Sequence, residues 1–302
     1  MTAGTAPRLR HFINNDWRGS ETDRWIDDTN PSDVRDLVAH VPEGTAADAS
    51  EAASAAAAAL PGWRSLSGPA RAEHLYKWAG VIASRAEELA QAMAREVGKP
   101  IGESRGEVGR CVVILRYYAG EAVREMGQVI PAQVAGALQF SLRATLGVVA
   151  MITPWNFPLA IPLWKVAPAL TFGNTVVLKP AESSSHIAGL LAETALAAGI
   201  PAGVFNVLFG AGATVGAAII EAPEVRAISF TGSGAVGARV AAAAAARNIR
   251  YQTEMGGKNV VIVLPDADIA KAASLTAAGA MRYAGQKCTA TSRVIVSRSI
   301  ED

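Results

Sequence analysis

The 302-residue chain is 50% hydrophobic, 18% charged and 6% aromatic, an ordinary globular composition with length for about two domains. A net charge of +1, with no basic cluster longer than two residues, provides no long-range field for nucleic acid or an anionic membrane, so a small molecule is the expected partner. Two cysteines, Cys111 and Cys288, and four scattered histidines lack metal-ligand spacing, so no metal is expected and the thiols read as reduced.

The opening stretch MTAGTAPRLRHFINNDWRGS has no apolar core of signal-peptide length, and nothing later offers ~20 apolar residues free of charge or proline. A cytoplasmic protein is expected. From about residue 46 to 97, good helix formers with apolar residues three and four apart predict helices, the alanine-rich one ending at Pro61. Residues 105–126 read as another helix. Residues 127–147 read as extended, turn-rich chain with alternating apolar positions. The pattern then changes to short β-rich runs, GVVAMIT, TVVLKP, GVFNVLFG, RAISF and NVVIVL, separated by Ala/Leu-rich helical segments such as SHIAGLLAETALAAGI and ATVGAAIIEA. Such alternation predicts an α/β fold, a Rossmann-like parallel sheet with helices on both faces and its ligand crevice at the carboxyl ends of the strands.

Chemistry-bearing residues follow those runs. TPWNFP places Asn156 on a rigid loop after the first, either capping the next helix or aiming a donor at an oxyanion. VLKPAES offers Lys179 and Glu182, as plain solvated charges or as a pair that hydrogen-bonds sugar hydroxyls. FTGSGAVG carries a GxGxxG at Gly232, Gly234 and Gly237, weak evidence in a chain with 28 glycines. Glu254 stands near the distance at which a plain dinucleotide unit keeps its ribose-binding acid. Cys288, in GQKCTATSR, is flanked by Lys287 and hydroxyl residues that ease thiolate formation, whereas Cys111 in GRCVVILRYY reads as a buried, inert thiol. GESRG at 102–106 mimics a serine-hydrolase elbow but has no strand before it.

With TPWNFP, KPAE, FTGS, EMGGK and GQKCTA in this order, the chain resembles the aldehyde dehydrogenase superfamily from FINNDW onward. The resemblance implies Cys288 as nucleophile, Glu254 as general base and Asn156 as oxyanion donor. Glu254 is thereby released from the ribose, which falls to Lys179 and Glu182. The implied cofactor is NAD or NADP, with NAD favoured because a carboxylate at Glu182 would repel a 2′-phosphate. Its contacts would be Ile152, Thr153, Pro154, Trp155, Lys179, Glu182, Gly212, Gly216, Phe230, Thr231, Gly232, Ser233 and Gly237, with Gly232 and Ser233 at a helix N-terminus on the phosphates.

The implied reaction is oxidation of an aldehyde to a carboxylic acid through a cysteine thiohemiacetal and thioester, and GQKCTATSR is similar to the branch acting on semialdehydes of dicarboxylic acids. The expected organisation is an NAD(P)-binding domain over 1–126 and 148–256, an oligomerisation arm over 127–147, and the beginning of a second α/β catalytic domain over 257–302. Family members continue past the position of Asp302, so the chain is expected to be truncated, with a homodimer or homotetramer for the full-length protein. Competing readings are a catalytically inert cofactor-binding fragment or paralogue, and an ordinary alcohol dehydrogenase that leaves Cys288 without a task.

Overall fold

A computed structural model describes residues 6 to 301; the part of the signal-peptide expectation that falls on residues 1 to 5 lies outside them. The chain opens with two short hairpins, β1 (His11–Ile13) with β2 (Asp16–Arg18) and β3 (Trp25–Thr29) with β4 (Leu37–Pro42). Asn14 and Asn15, both at positive φ, make the first turn, the conformation that two-residue hairpin loops demand.

Helices α1 (Ala46–Ser65), α2 (Gly68–Ser84), α3 (Ala86–Val97) and α4 (Ile101–Glu121) follow. Thr45 and Asp48 close a capping box on α1, satisfying two backbone N–H groups that its first turn leaves free. The expectation that this helix ends at Pro61 is corrected. Pro61 removes one N–H donor, but α1 continues because Trp63, beyond it, is buried and donates its indole N–H to the Leu170 carbonyl at 3.0 Å. The helix expected over 105–126 instead starts at Ile101, after Pro100, and ends at Glu121. GESRG lies inside it.

A hairpin of β5 (Val129–Ile130) and β6 (Gln139–Phe140) comes next, its two strands paired only with each other. Then come β7 (Val148–Ile152), α5 (Ala160–Thr171), β8 (Thr175–Lys179), α6 (Ser185–Ala197), β9 (Phe205–Val207), α7 (Ala217–Glu221), β10 (Val225–Gly232), α8 (Gly234–Ala246) and β11 (Arg250–Met255). The chain closes with β12 (Asn259–Val263), α9 (Ile269–Met281) and β13 (Thr291–Val296).

The main sheet has seven strands in the order β11-β10-β7-β8-β9-β1-β2, parallel from β11 to β9 and antiparallel at β1 and β2. Side-chain alternation sends successive residues to opposite faces. Val149, Met151, Val176 and Leu178 pack on one face with α2 to α6, while Val148, Ala150, Val177 and Ile228 pack on the other with α1, α7 and α8. Both faces are dry, which is why these strands read as continuous apolar runs. Each of the valine, leucine, isoleucine and methionine side chains contributes about 1.5–3 kcal/mol by leaving water.

Two strand assignments differ from expectation. NVVIVL, expected in the parallel sheet, forms β12 and pairs with β13 in a separate two-stranded sheet. Its place at the edge of the main sheet is taken by β11, whose polar sequence RYQTEM gives no apolar signal because an edge strand has one side open to water. The chain runs β7, β8, β9 in one direction and returns to place β10 on the other side of β7. Strand order therefore reverses between β7 and β10, where a parallel sheet opens its crevice.

Candidate active site

At this reversal the strands end in a cleft of about 630 Å³. Ile152 closes β7, Thr153 to Asn156 form the loop behind it, and Lys179 is the last residue of β8 with Glu182 just beyond. Phe230, Thr231 and Gly232 end β10, Ser233 caps α8, Glu254 lies near the end of β11, and Cys288 enters from the loop before β13. The three expected catalytic residues and most of the expected cofactor contacts thus line one cavity. Gly212, Gly216 and Gly237 do not line it.

Gly216 and Gly237 are buried behind the wall, and Gly212 lies exposed beside it. Gly212 donates its N–H to Glu182 Oε1 at 2.7 Å, and Gly216 is buried with Ile152 Cδ1 3.8 Å from where a Cβ would sit. A Cβ on Gly237 would lie 2.5 Å from Met255 Sδ and 3.2 Å from Phe230 Cε1. The third glycine of GxGxxG lets α8 approach the sheet closely. Its role here is packing.

Lys179, buried, donates to the half-exposed Glu182 Oε1 at 3.0 Å. Burial pushes Lys179 below the ordinary lysine value, and the Glu182 charge opposes that only in part. Burial pushes the Glu182 carboxyl up, but the Lys179 charge and hydrogen bonds from Lys179 and the Gly212 N–H outweigh it and hold the carboxyl below its usual value. The pair sets the Lys179 amine beside the Glu182 carboxyl at the wall of one cleft.

The loop carrying Cys288 is built against strain. Tyr283, Ala284 and Gly285 are all left-handed, at φ 57, 54 and 71. For the two non-glycine residues this costs on the order of 1–3 kcal/mol each. Packing offsets it: the Tyr283 ring lies 5.1 Å from the Phe157 ring, and Lys287 Nζ sits 4.0 Å over Tyr283. Asn156 Nδ2 donates to the Gln286 carbonyl at 2.6 Å, and Asn259 Nδ2 donates to the Cys288 carbonyl at 2.6 Å. Cys288 itself is exposed, whereas Cys111 is fully buried, which drives its thiol far above the usual range. Only Cys288 has the access a nucleophile needs.

Asn156 is held in turn by a pair absent from the sequence reading. Lys99 and Glu107 are both buried and ion-paired, and Lys99 also donates to the Asn156 carbonyl at 2.8 Å. Glu107 Oε1 accepts the Leu159 and Ala160 N–H groups at 3.1 and 3.0 Å, placing a carboxylate at the start of α5, where the helix dipole favours it. The loop from 153 to 159 is fixed from below by two charges that the sequence sets eight positions apart, with nothing to announce their meeting.

A second cavity, also about 630 Å³, opens on the other side of Cys288 and Glu254 between α4, α5 and the edge of the sheet. Arg110, Trp164, Lys165 and Gln252 line it and were equally missed. Arg110 makes no ion pair or hydrogen bond among the described residues. Lys165 is pushed down to about 8 by burial, against a partial opposing pull from Glu254.

The aldehyde dehydrogenase family model matches residues 17–302. The chain belongs to the aldehyde dehydrogenase family. The alpha-ketoglutaric semialdehyde dehydrogenase of Bacillus subtilis is 48% identical over 96% of this chain and 59% of its own length. The NADP(+) succinate-semialdehyde dehydrogenase of Escherichia coli is 38% identical over 98% of this chain and 61% of its own. The NAD-dependent aldehyde dehydrogenase of Sinorhizobium meliloti superposes with a TM-score of 0.94 at 39% identity, covering 98% of this chain and 60% of that one. The chain therefore spans about three fifths of the length of the relatives it matches. Among its described residues no helix is long and apolar enough to cross a membrane.

Proposed function

We propose that this chain carries the cofactor-binding and nucleophile-bearing part of an NAD(P)-dependent aldehyde dehydrogenase that oxidises an aldehyde to a carboxylic acid. The observation that carries this reading is the single cleft lined by Asn156, Glu254 and Cys288 together with Lys179, Glu182, Gly232 and Ser233. Two polar atoms in its lining, Thr153 Oγ1 and Gln286 Oε1, are buried with no hydrogen-bond partner among the described residues. Orphaned acceptors and donors of this kind suit a cleft that takes a polar ligand. Lys179 and Glu182 would hold ribose hydroxyls, and Gly232 with the Ser233-capped start of α8 would face the phosphates, where free N–H groups favour an anion. Ile152, Thr153, Pro154, Trp155, Phe230 and Thr231 would wall the cofactor, backed by Gly212, Gly216 and Gly237. The Glu182 carboxylate favours NAD over NADP, because a 2′-phosphate beside it would meet a like charge.

In this mechanism the Cys288 thiolate attacks the aldehyde carbon and forms a C–S bond. The resulting oxyanion accepts the Cys288 backbone N–H and the second hydrogen of the Asn156 amide, whose first is committed to the Gln286 carbonyl. The chemistry supplied by NAD(P) when bound is hydride acceptance, which leaves a thioester on Cys288. Glu254 then takes a proton from water as the water oxygen adds to the thioester carbonyl; the C–S bond breaks, the thiolate is restored and the carboxylic acid departs.

A semialdehyde of a dicarboxylic acid is the substrate class we favour. Two relatives carry semialdehydes in their names, and the second cavity presents the unpaired Arg110 and Lys287 near Cys288, cations suited to a distal carboxylate. Residues 1–126 and 148–256 would form the cofactor domain, and 257–302 the beginning of a catalytic domain. The hairpin within 127–147, with Val129, Val134, Leu138 and Leu142 exposed, would serve as an oligomerisation arm in a homodimer or homotetramer. A cytoplasmic location goes with two free thiols, one of them exposed.

The test is rapid-mixing of NAD and succinic semialdehyde with the parent protein and with Glu254→Gln. The variant should give one burst of reduced cofactor and then stop, because the thioester forms but is not hydrolysed. A variant that turns over steadily would remove Glu254 from deacylation. Bound NAD with no burst in either protein would favour the inert cofactor-binding reading.

A further inference from the structure

Lys165 is a buried cation that the proposed chemistry does not use. It projects from α5, and its Nζ lies 2.9 Å from Ser229 Oγ on β10. Ser229 stands opposite Gln252 of β11 in the parallel register, and its Oγ lies 3.1 Å from Gln252 Oε1. Gln252 Nε2 lies 3.3 Å from Glu254 Oε1, two residues along the same strand and hence on the same face. Four side chains from three elements thus form one line, ending at the carboxylate that the proposed function makes the general base.

Donor and acceptor capacity fixes the direction of every bond in that line. An ammonium only donates, so Ser229 Oγ must accept from Lys165 and spend its own proton elsewhere. That proton goes to Gln252 Oε1. The amide is then oriented with its oxygen toward Ser229 and its NH₂ toward Glu254. Reversed, it would set its carbonyl oxygen against a carboxylate and its NH₂ against a hydroxyl hydrogen. We propose that Gln252 is a positioning residue for Glu254, its amide aligned by Lys165 through Ser229 so that the NH₂ steers the carboxylate along the face of β11 that lines the cavity with Cys288.

The arrangement has a physical reason. β11 is an edge strand, and Gln252 and Glu254 are exposed on it, so nothing packs around the carboxylate to select a rotamer. A general base must nevertheless be held within hydrogen-bond reach of its water. Anchoring one exposed side chain to a buried cation through two bridging groups supplies that restraint without burying the carboxylate. The line cannot relay protons, because an amide carbonyl has no proton to pass on. Its work is orientation.

The inference rests on the reading of Glu254 as base, and two measurements keep the two claims apart. The first needs no turnover: crystal structures of the parent chain, Gln252→Leu, Ser229→Ala and Ser229→Thr. The Glu254 carboxylate should leave its place or spread over several rotamers in Gln252→Leu and Ser229→Ala, and stay in Ser229→Thr, which keeps the hydroxyl. An unmoved carboxylate in Gln252→Leu overturns the proposal. The second is the ratio of burst to steady rate with NAD and succinic semialdehyde. Gln252→Leu should keep the burst and slow the steady phase about fivefold, the scale of one net hydrogen bond, with Ser229→Thr matching the parent. If the carboxylate moves while the steady phase is unchanged, the positioning stands and the role of Glu254 in deacylation falls.

Discussion

Replacing Lys99 with Met should destabilise the chain by about 3 kcal/mol, the low end of what breaking a buried ion pair costs. The structure sets that level. Lys99 and Glu107 side chains are both fully buried, so the Glu107 charge left behind has no water to turn to. It does retain the Leu159 and Ala160 N–H groups at 3.1 and 3.0 Å and the start of the α5 dipole, which keeps the loss from the upper end of the range. Urea denaturation should show a lowered midpoint with an unchanged slope. The double variant Lys99→Met with Glu107→Leu should recover part of the loss, because it removes the orphaned charge while leaving the Leu159 and Ala160 N–H groups without their acceptor. The cycle of singles and double then gives a coupling energy above about 1 kcal/mol. A Lys99→Met loss below about 1 kcal/mol, or singles that simply add, would refute the claim that this pair holds the Asn156 loop.

Lys165 should leave a pH signature in stability. It titrates near about 8 when folded against 10.5 when exposed, so between those values the unfolded chain binds more protons and stability rises with pH. Below about 8 the penalty is fully present and Lys165→Met should gain on the parent, by about 3 kcal/mol at most; the advantage should shrink as pH climbs toward 10.5. Urea midpoints at about pH 7 and about pH 9.5 read it, and an advantage that grows with pH would contradict the sign. Gly232→Ala should weaken NAD binding, followed by quenching of the partly exposed Trp155, because its Cβ would lie 2.6 Å from Phe230 Cζ and force that ring within the cleft. Arg110→Met should raise the KM for succinic semialdehyde while leaving that for an uncharged aldehyde nearly unchanged.

The sequence exposes the parts of the fold that rest on burial. Strands β7, β8 and β10 are dry on both faces, so GVVAMIT, TVVLKP and RAISF stand out as apolar runs and lead the eye to Thr153, Glu182 and Ser233 just past them. β11 escapes notice because nearly all of it faces solvent, and with it goes the local frame of Glu254. NVVIVL carries the opposite lesson: an apolar run fixes strand character but not the partner. β1 and β2 did have a usable signal, the Asn-Asn turn of FINNDW. Lys99, Glu107, Lys165 and Gln252 had none, because their roles exist only where α4, α5, β10 and β11 meet. The close approach of Gly237 to Met255, eighteen positions away, likewise had no local signal.

The central claim is that Cys288 is a reactive nucleophile beside a cofactor cleft. Brief alkylation with limiting iodoacetamide, with and without NAD, followed by peptide mapping of Cys288 and Cys111, tests it without requiring turnover. Cys288 should be labelled, at a rate that NAD changes, while Cys111, wholly buried, stays unmodified. Labelling of Cys288 that is indifferent to saturating NAD, or equal labelling of both thiols, would contradict the account.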